Sequence, residues 1–341
     1  MRVVVVAYLM LMLLSSASSA GNLQQQQEEE GGLKHSSNGF FLSGHYLDLS
    51  ESLASSSLFA SLDNIRGPGG KINGIQYFSF DERNRDLYSL NLNIAKNGNR
   101  STINRYPLDG DRSKQSEGFS TPLGNVVGHQ GLGLEYLPEG GVRLWSTYYK
   151  DFRQVARYSY SDGAPVGDVQ IYRLFGVGFR PYVSSTPTIS LDQKFIVAAG
   201  KKKGETYQTV RVWRLADLVA NGGGDYSKSW LYEWDLRDLI GPQHPLQGIA
   251  SDGKRIWIIA GSSKINEPKR LGVYSLEGRV LDKDDNMTVG RAQALLDGVG
   301  KVYEPEGLAL IEVDRKVYLC IGIVSGDKGF RHARIYKAPL R

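Results

Sequence analysis

Two histidines, an arginine and a pair of glutamates are the residues of this chain best suited to chemistry. His129 stands in Gly128-His129-Gln130, Arg180 in Gly178-Phe179-Arg180-Pro181-Tyr182, and His244 in Pro242-Gln243-His244-Pro245. Glu304 and Glu306 are two apart in an extended stretch, so their side chains point to the same side. A histidine exchanges a proton near neutral pH, an arginine clamps an acid group through parallel N–H donors, and a carboxylate completes the pair. Around one funnel, His129 or His244, Arg180 and Glu306 would suit a polysaccharide lyase or a glycoside hydrolase. The same groups would also hold an anionic sugar chain without reacting on it, and each histidine alone fits a packed structural role. No G-x-S-x-G elbow, H-E-x-x-H helix, P-loop or zinc-type Cys/His spacing is present. No cofactor is therefore expected, and a metal ion at the funnel mouth has no ligand pattern behind it. Cys320, the only cysteine, sits in the apolar run Val317-Tyr318-Leu319-Cys320-Ile321 and reads as core.

Residues so far apart need a scaffold that gathers them, and a repeat supplies it. A polar residue, a small turn residue and an apolar strand recur at Asn73-Gly74-Ile75, Gln130-Gly131-Leu132, Thr186-Pro187-Thr188, Gln247-Gly248-Ile249 and Glu306-Gly307-Leu308. The turn residues at 74, 131, 187, 248 and 307 are 57, 56, 61 and 59 apart. A second phrase keeps the beat, with Tyr106, Tyr158, Trp213, Tyr274 and Tyr336 ending apolar strands. Self-similarity at a fixed period marks a repeat architecture.

The fourth copy shows the unit best. Gly248-Ile249-Ala250 and Arg255–Ala260 are strands joined at Asp252-Gly253, and Leu271–Leu276 is a third strand before the Glu277-Gly278 turn into a fourth. Four antiparallel strands repeated radially make an all-β, five-bladed β-propeller. The recurring aromatics should pack blade against blade. The chain ends just after the third strand of the fifth unit, so Leu58–Asp63 should supply the last outer strand and close the ring.

In such a ring the residue before each turn residue stands near the axis: Asn73, Gln130, Thr186, Gln247 and Glu306. They line either a water-filled channel or a small-ligand site at its mouth. The five loops between second and third strands carry twelve cations, among them Lys201, Lys202, Lys203, Lys264, Arg270 and Arg331, against four anions. The whole chain is only +5. One face should therefore be basic and concentrate polyanions.

The N-terminus reads differently. Met1-Arg2, an apolar run to Leu14 and Ser18-Ser19-Ala20 describe a secretory signal peptide over residues 1–20. Residues 21–40 form a polar, disordered leader, and 41–341 the propeller. Later in the chain no apolar run is long enough to span a membrane. Asn99-Arg100-Ser101 and Asn286-Met287-Thr288 are glycosylation sequons in a eukaryotic source.

At Gly128-His129-Gln130-Gly131-Leu132-Gly133-Leu134-Glu135 and Pro245-Leu246-Gln247-Gly248-Ile249-Ala250-Ser251-Asp252-Gly253 the chain resembles a five-bladed propeller family. That family is shared by teichoic-acid biosynthesis protein C and phage receptor-binding proteins, with helveticin-type bacteriocins nearby. The resemblance covers about residues 41 to 341 and implies a secreted or surface propeller that meets cell-wall or other anionic glycans. The signal peptide and leader depart from the phage members. The sequence thus predicts a secreted, monomeric propeller. Its partner would be an anionic glycan or cell-surface polymer, not nucleic acid, held by the axial residues, Glu304 and the loop cations. The alternatives are the lyase or hydrolase above and a protein-interaction scaffold.

Overall fold

The computed structural model describes residues 48–62, 75–95, 98–108, 119–122, 124, 126–182, 185–297, 302–326 and 331–340. The expected signal peptide and leader, Asn73, Lys96, Lys328 and the side chains of Asn99 and Arg100 lie outside that description. Among the described residues no helix is long and apolar enough to cross a membrane.

A short helix, α1 (Leu49–Ala54), starts at Asp48, whose carboxylate accepts from the Glu51 N–H at 2.9 Å, and leads into β1 (Ser57–Ser61). The first blade is β2 (Ile75–Asp81), β3 (Asp86–Ala95), β4 (Gly98–Pro107) and β5 (Phe119–Ser120). The second is β6 (Gly133–Tyr136), β7 (Val142–Thr147), β8 (Gln154–Ser159) and β9 (Gly167–Arg173). The third runs β10 (Thr186–Ile189), β11 (Phe195–Gly200) and β12 (Gln208–Arg214). It then inserts α2 (Leu215–Asn221) and β13 (Gly224–Asp225) before its outer strand β14 (Tyr232–Leu236). The fourth is β15 (Leu246–Ser251), β16 (Arg255–Ala260), β17 (Lys269–Ser275) and β18 (Val280–Met287). After α3 (Arg291–Leu296) the fifth follows as β19 (Tyr303–Val313), β20 (Lys316–Ser325) and β21 (His332–Pro339).

The innermost strands β2, β6, β10, β15 and β19 lie side by side in that order, and β19 returns against β2. Five antiparallel blades thus form a ring, as the repeat predicts. Closure is also as expected: β1 pairs antiparallel with β21, Leu58 opposite Tyr336 and Ser61 opposite Arg334. One edge is handled in a way the repeat does not foretell. β13, from the third-blade insertion, pairs in parallel with β9 through Gly224 opposite Tyr172, covering the outer edge of the second blade.

The apolar core is divided into five seams, one between each pair of blades, because a blade's two faces are both covered by neighbours. Each seam contains one of the recurring aromatics. Tyr106 lies with Phe59, Phe80 and Ile335; Tyr158 with Leu90 and Ile103; Trp213 with Trp145 and Phe175; Tyr274 with Val210 and Ile249. Tyr336 packs on Trp257, Leu310 and Ile323. Cys320 is fully buried in the seam between the fifth and first blades.

Three inner strands carry a β-bulge at their axial end. The ladder skips between Ile75 and Tyr77 in β2, between Leu246 and Gly248 in β15, and between Pro305 and Leu308 in β19. A bulge leaves an extra residue unpaired and re-aims its side chain, here Gln76, Gln247 and Glu306. The glycine that follows Glu306 has φ +92°, and a Cβ there would meet Tyr77 Cα at 3.1 Å. Gly131, at φ +80°, lies so close to Pro187 that a Cβ would stand 2.1 Å from its ring. Small residues at this position let adjacent blades touch at the axis.

The bulges correct the phase of the first copy. By ladder position Gln76-Tyr77 matches Gln247-Gly248 and Glu306-Gly307, so Tyr77, three residues after Gly74, holds the place that is glycine or proline in the other blades. Glycine at 248 lets β15 and β19 touch, since a Cβ there would stand 2.7 Å from Leu308 N. Tyr77 is fully buried, and its hydroxyl donates to Ile249 O and accepts from Ile249 N–H at 2.7 Å. Ile249 is in the fourth blade and Tyr77 in the first, so this one side chain reaches past the fifth blade to tie the first blade to the fourth.

Candidate functional site

All five blades contribute polar side chains near the axis, hydrogen-bonded in two groups. Gln76 Nε2 donates to Glu306 Oε1 at 3.1 Å, and Gln247 Nε2 to Glu304 Oε1 at 3.5 Å and Gly261 O at 3.0 Å. Gln130 Nε2 donates to Gln247 Oε1 and Thr186 Oγ1 to Gln130 Oε1, both at 3.4 Å. Of the sequence-predicted axial residues, Gln130, Thr186 and Gln247 meet directly, with Glu304 joining them, while Glu306 pairs with Gln76 of the first blade. Most of these bonds are long; the Gln76 and Gln247 amides donate to the two carboxylates, and the Gln130 amide donates to Gln247.

Those carboxylates have little water to ionise into. Burial, followed by the nearby Glu304 charge, pushes Glu306 well above the usual carboxylate range, although Gln76 and Arg331 pull the other way. Glu304 is also raised, chiefly by burial, against the attraction of Arg331 and Lys269. Glu306 Oε2 and Arg331 Nη1 are buried with no hydrogen-bond partner among the described residues.

A raised folded-state pKa means that the stability from the neutral acid is fully present below the ordinary value of 4.5 and is lost as pH rises through the folded value. Glu306→Gln should remove that loss. The expected result is a melting-temperature advantage over the parent that opens as pH rises above the ordinary value of 4.5, at up to about 1.4 kcal/mol per pH unit while only the unfolded chain has ionised. Equal pH profiles for the two proteins in thermal unfolding would contradict this. His129 and His244, both lowered mainly by burial, act in the opposite sense, but they are common to both proteins.

The four candidate catalytic groups are not brought into one constellation by hydrogen bonds among the described residues. Glu306 belongs to the axial groups. His244 is buried, its backbone bridges Gly241, and its Nε2 has no partner. Arg180 lies in the loop between β9 and β10, next to Lys201 rather than to a histidine.

That loop builds a second feature, on the rim between the second and third blades. Arg180 N–H donates to Lys201 O at 2.8 Å, Lys203 N–H to Gly178 O at 2.9 Å, and Phe152 N–H to Pro181 O at 3.1 Å. Three loops are thereby zipped together. Their base is Phe175 and Phe179, which pack under the Arg211 guanidinium; Arg211 also stacks on Trp230, at 4.0 Å, and donates to Leu174 O and Ser227 O at 3.0 Å. The three loops carry Lys150, Arg180, Lys201 and Lys203. No acid among the described residues pairs with them. Burial and then the Arg180 charge lower the Lys201 pKa, so two cations are held close together. Tyr182, 88 % exposed, offers its ring beside them.

The remaining loop cations are more committed than a charge count suggests. Lys202 meets Asp235 at 3.3 Å and Glu233 at 3.9 Å, Arg153 meets Asp151 at 2.8 Å, and Lys264 meets Glu267 at 2.7 Å. Arg270 lies 3.6 Å from Asp285. Asp235, Glu233 and Asp285 come from outer strands, so Lys202 and Arg270 are neutralised from outside their own loops.

Sequence reasoning missed Gln76 and Tyr77 because the first copy was aligned on its glycine. Aligning it on the glutamine shared by positions 76, 130 and 247 would have found both.

Over residues 74–337 the chain matches the family described as the phage 5-bladed beta propeller receptor binding platform domain. Among solved structures it is similar to the tail fiber of Staphylococcus aureus phage P68, at 18% identity and a TM-score of 0.58, covering 83% of this chain and 52% of that one. The chain thus spans about half the length of that fiber, and the likeness shows the fold. It is also similar, at 8% identity, to the α-L-arabinofuranosidase PaAbf62A from Podospora anserina, with a TM-score of 0.48 over 83% of this chain and 95% of that one. That resemblance is too slight to bear on function. Comparison with curated proteins gives no match.

Proposed function

The chain belongs to the phage 5-bladed β-propeller receptor-binding platform domain family, and from that premise we propose that it binds an anionic polysaccharide of a cell surface on its basic rim. The observation that carries this reading is the set Lys150, Arg180, Lys201 and Lys203, unpaired by any described acid and fixed by loop-to-loop backbone bonds. Close like charges repel, and a polyanion laid across them would relieve that repulsion as it binds. Tyr182 would stack on a sugar face, an apolar body with a polar tip. Both phosphate-bearing wall polymers, which the resemblance to teichoic-acid biosynthesis protein C suggests, and uronate polymers present such charges. Export, expected from residues 1–20, belongs to the same proposal.

The test is biolayer interferometry on immobilised poly(glycerol phosphate) and polygalacturonate, with dextran as the neutral control. The parent protein should bind at least one polyanion and not dextran. Arg180→Ala combined with Lys201→Ala should weaken binding about tenfold or more, corresponding to about 1.4 kcal/mol. Equal binding to dextran, or a double variant that binds like the parent, would overturn the proposal.

A further inference from the structure

A cleft of about 390 Å³ opens on the fourth blade, where the loop between β16 and β17, the end of β18, the start of α3 and the first residue of β19 converge. Its size falls within the range of roughly 300–1,000 Å³ typical of small-molecule sites. It lies apart from the cationic rim between blades two and three and touches the axial groups only through the charge of Lys269 on Glu304.

Its lining is apolar at the bottom and polar at the edge. Ile265, Met287 and Tyr303 are buried, while Asn266, Asn286 and Arg291 are exposed. The acids of the cleft are already engaged: Glu267 holds Lys264 at 2.7 Å and also accepts from Ser262, and Asp285 holds Lys283 at 3.0 Å. Lys269 closes the back wall. It is fully buried, its ammonium donates to Lys264 O and Glu267 O at 2.8 Å each, and it lies 5.1 Å from the centre of the Tyr303 ring. An ammonium has three donors, and two are used. Arg291 has no acidic partner among the described residues.

We infer that this cleft is a second binding site, for a single sugar residue carrying a carboxylate or a phosphate. Arg291 would grip the acid group in the bidentate manner open to a guanidinium. The remaining Lys269 donor would reach it from behind, and Asn266 and Asn286 would take the hydroxyls. Choosing an acidic sugar rather than another small anion rests on the polysaccharide reading above; the cleft and its unpaired cations do not. Desolvation supports an anion here as well. Burial lowers the Lys269 pKa to about 8 against the pull of Glu267 and Glu304, with Arg291 adding to the lowering, so its neighbours compensate its charge only in part. An arriving anion would raise that value and draw in a proton.

The experiment is calorimetric titration of the full chain at about pH 8 with glucuronate, glucose 6-phosphate and glucose, in buffers of different ionisation enthalpy. At least one acidic sugar should bind, glucose should not, and binding should take up as much as about half a proton, the fraction of Lys269 that is neutral at its pKa. Whichever acid binds identifies the preferred group. Arg291→Ala, at an exposed position, should weaken binding about tenfold or more, and Lys269→Met should abolish the proton uptake. The Arg180→Ala, Lys201→Ala double variant should bind the monosaccharide as the parent does. If neither acidic sugar binds better than glucose, or Arg291→Ala binds like the parent, the inference fails. Polymer binding that persists in that event would leave the rim proposal standing.

Discussion

A chain lacking residues 48–62 is expected to lose its cooperative thermal transition, because the segment supplies both the closing strand and part of two seams. Without β1, the β21 edge from Arg334 to Lys337 has no partner, and the bond from Leu62 N–H to Ala333 O disappears. Phe59 and Leu62 leave the seam between the fifth and first blades, and Leu49 and Leu53 leave the seam between the fourth and fifth. At about 1.5–3 kcal/mol for each buried side chain, the four account for roughly 6–12 kcal/mol. That is comparable with the whole stability of a typical domain, about 5–15 kcal/mol. Phe59→Ala, which leaves the chain complete, should cost about 3–5 kcal/mol and provides a reading should the truncated chain prove insoluble. A truncated protein melting within about 3 °C of the parent, a shift worth about 1 kcal/mol in a domain this large, would contradict the closure.

The second large effect is expected at Tyr77. Truncation to alanine should cost about 3–5 kcal/mol for the lost ring and the cavity left behind. It should cost a further 1–3 kcal/mol or so because Ile249 N–H and C=O lose their buried partner. Tyr77→Phe separates the two terms: it keeps the ring and should show only the smaller one. Burial also raises the hydroxyl pKa, keeping it protonated and able to donate to Ile249 O across the working pH range. Denaturant unfolding of the two variants against the parent checks this. A Tyr77→Ala protein within about 1 kcal/mol of the parent would mean that this side chain does not tie the first blade to the fourth.

The fold was largely legible because a propeller repeats itself. The five in-phase aromatics, the hairpin turns and the spare apolar segment at Leu58 each reflect a physical demand: a seam to fill, a tight reversal to make, an edge to close. The axial set was legible almost as well, since polar residues before a small one recur in register. Tyr77 was hidden because it breaks the rule, a large ring where neighbouring blades keep glycine. The basic rim was legible only as a surplus of charge. Which cations stay unpaired depends on acids brought in from outer strands, Asp235 against Lys202 and Asp285 against Arg270, more than a dozen residues away in sequence. The strap of β13 over β9 was invisible for a related reason: a two-residue parallel pairing leaves no periodic trace.

The most direct test of the cationic rim is the salt dependence of parent-protein affinity for whichever polyanion it binds. Exposed charges are screened over about 10 Å at 0.1 M salt and about 3 Å at 1 M. Raising salt from about 0.05 M to about 0.5 M should therefore weaken binding tenfold or more, mostly through slower association. The Arg180→Ala, Lys201→Ala protein should show a much shallower slope. An affinity that does not change with salt would contradict the claim that unpaired cations on this rim recognise the ligand.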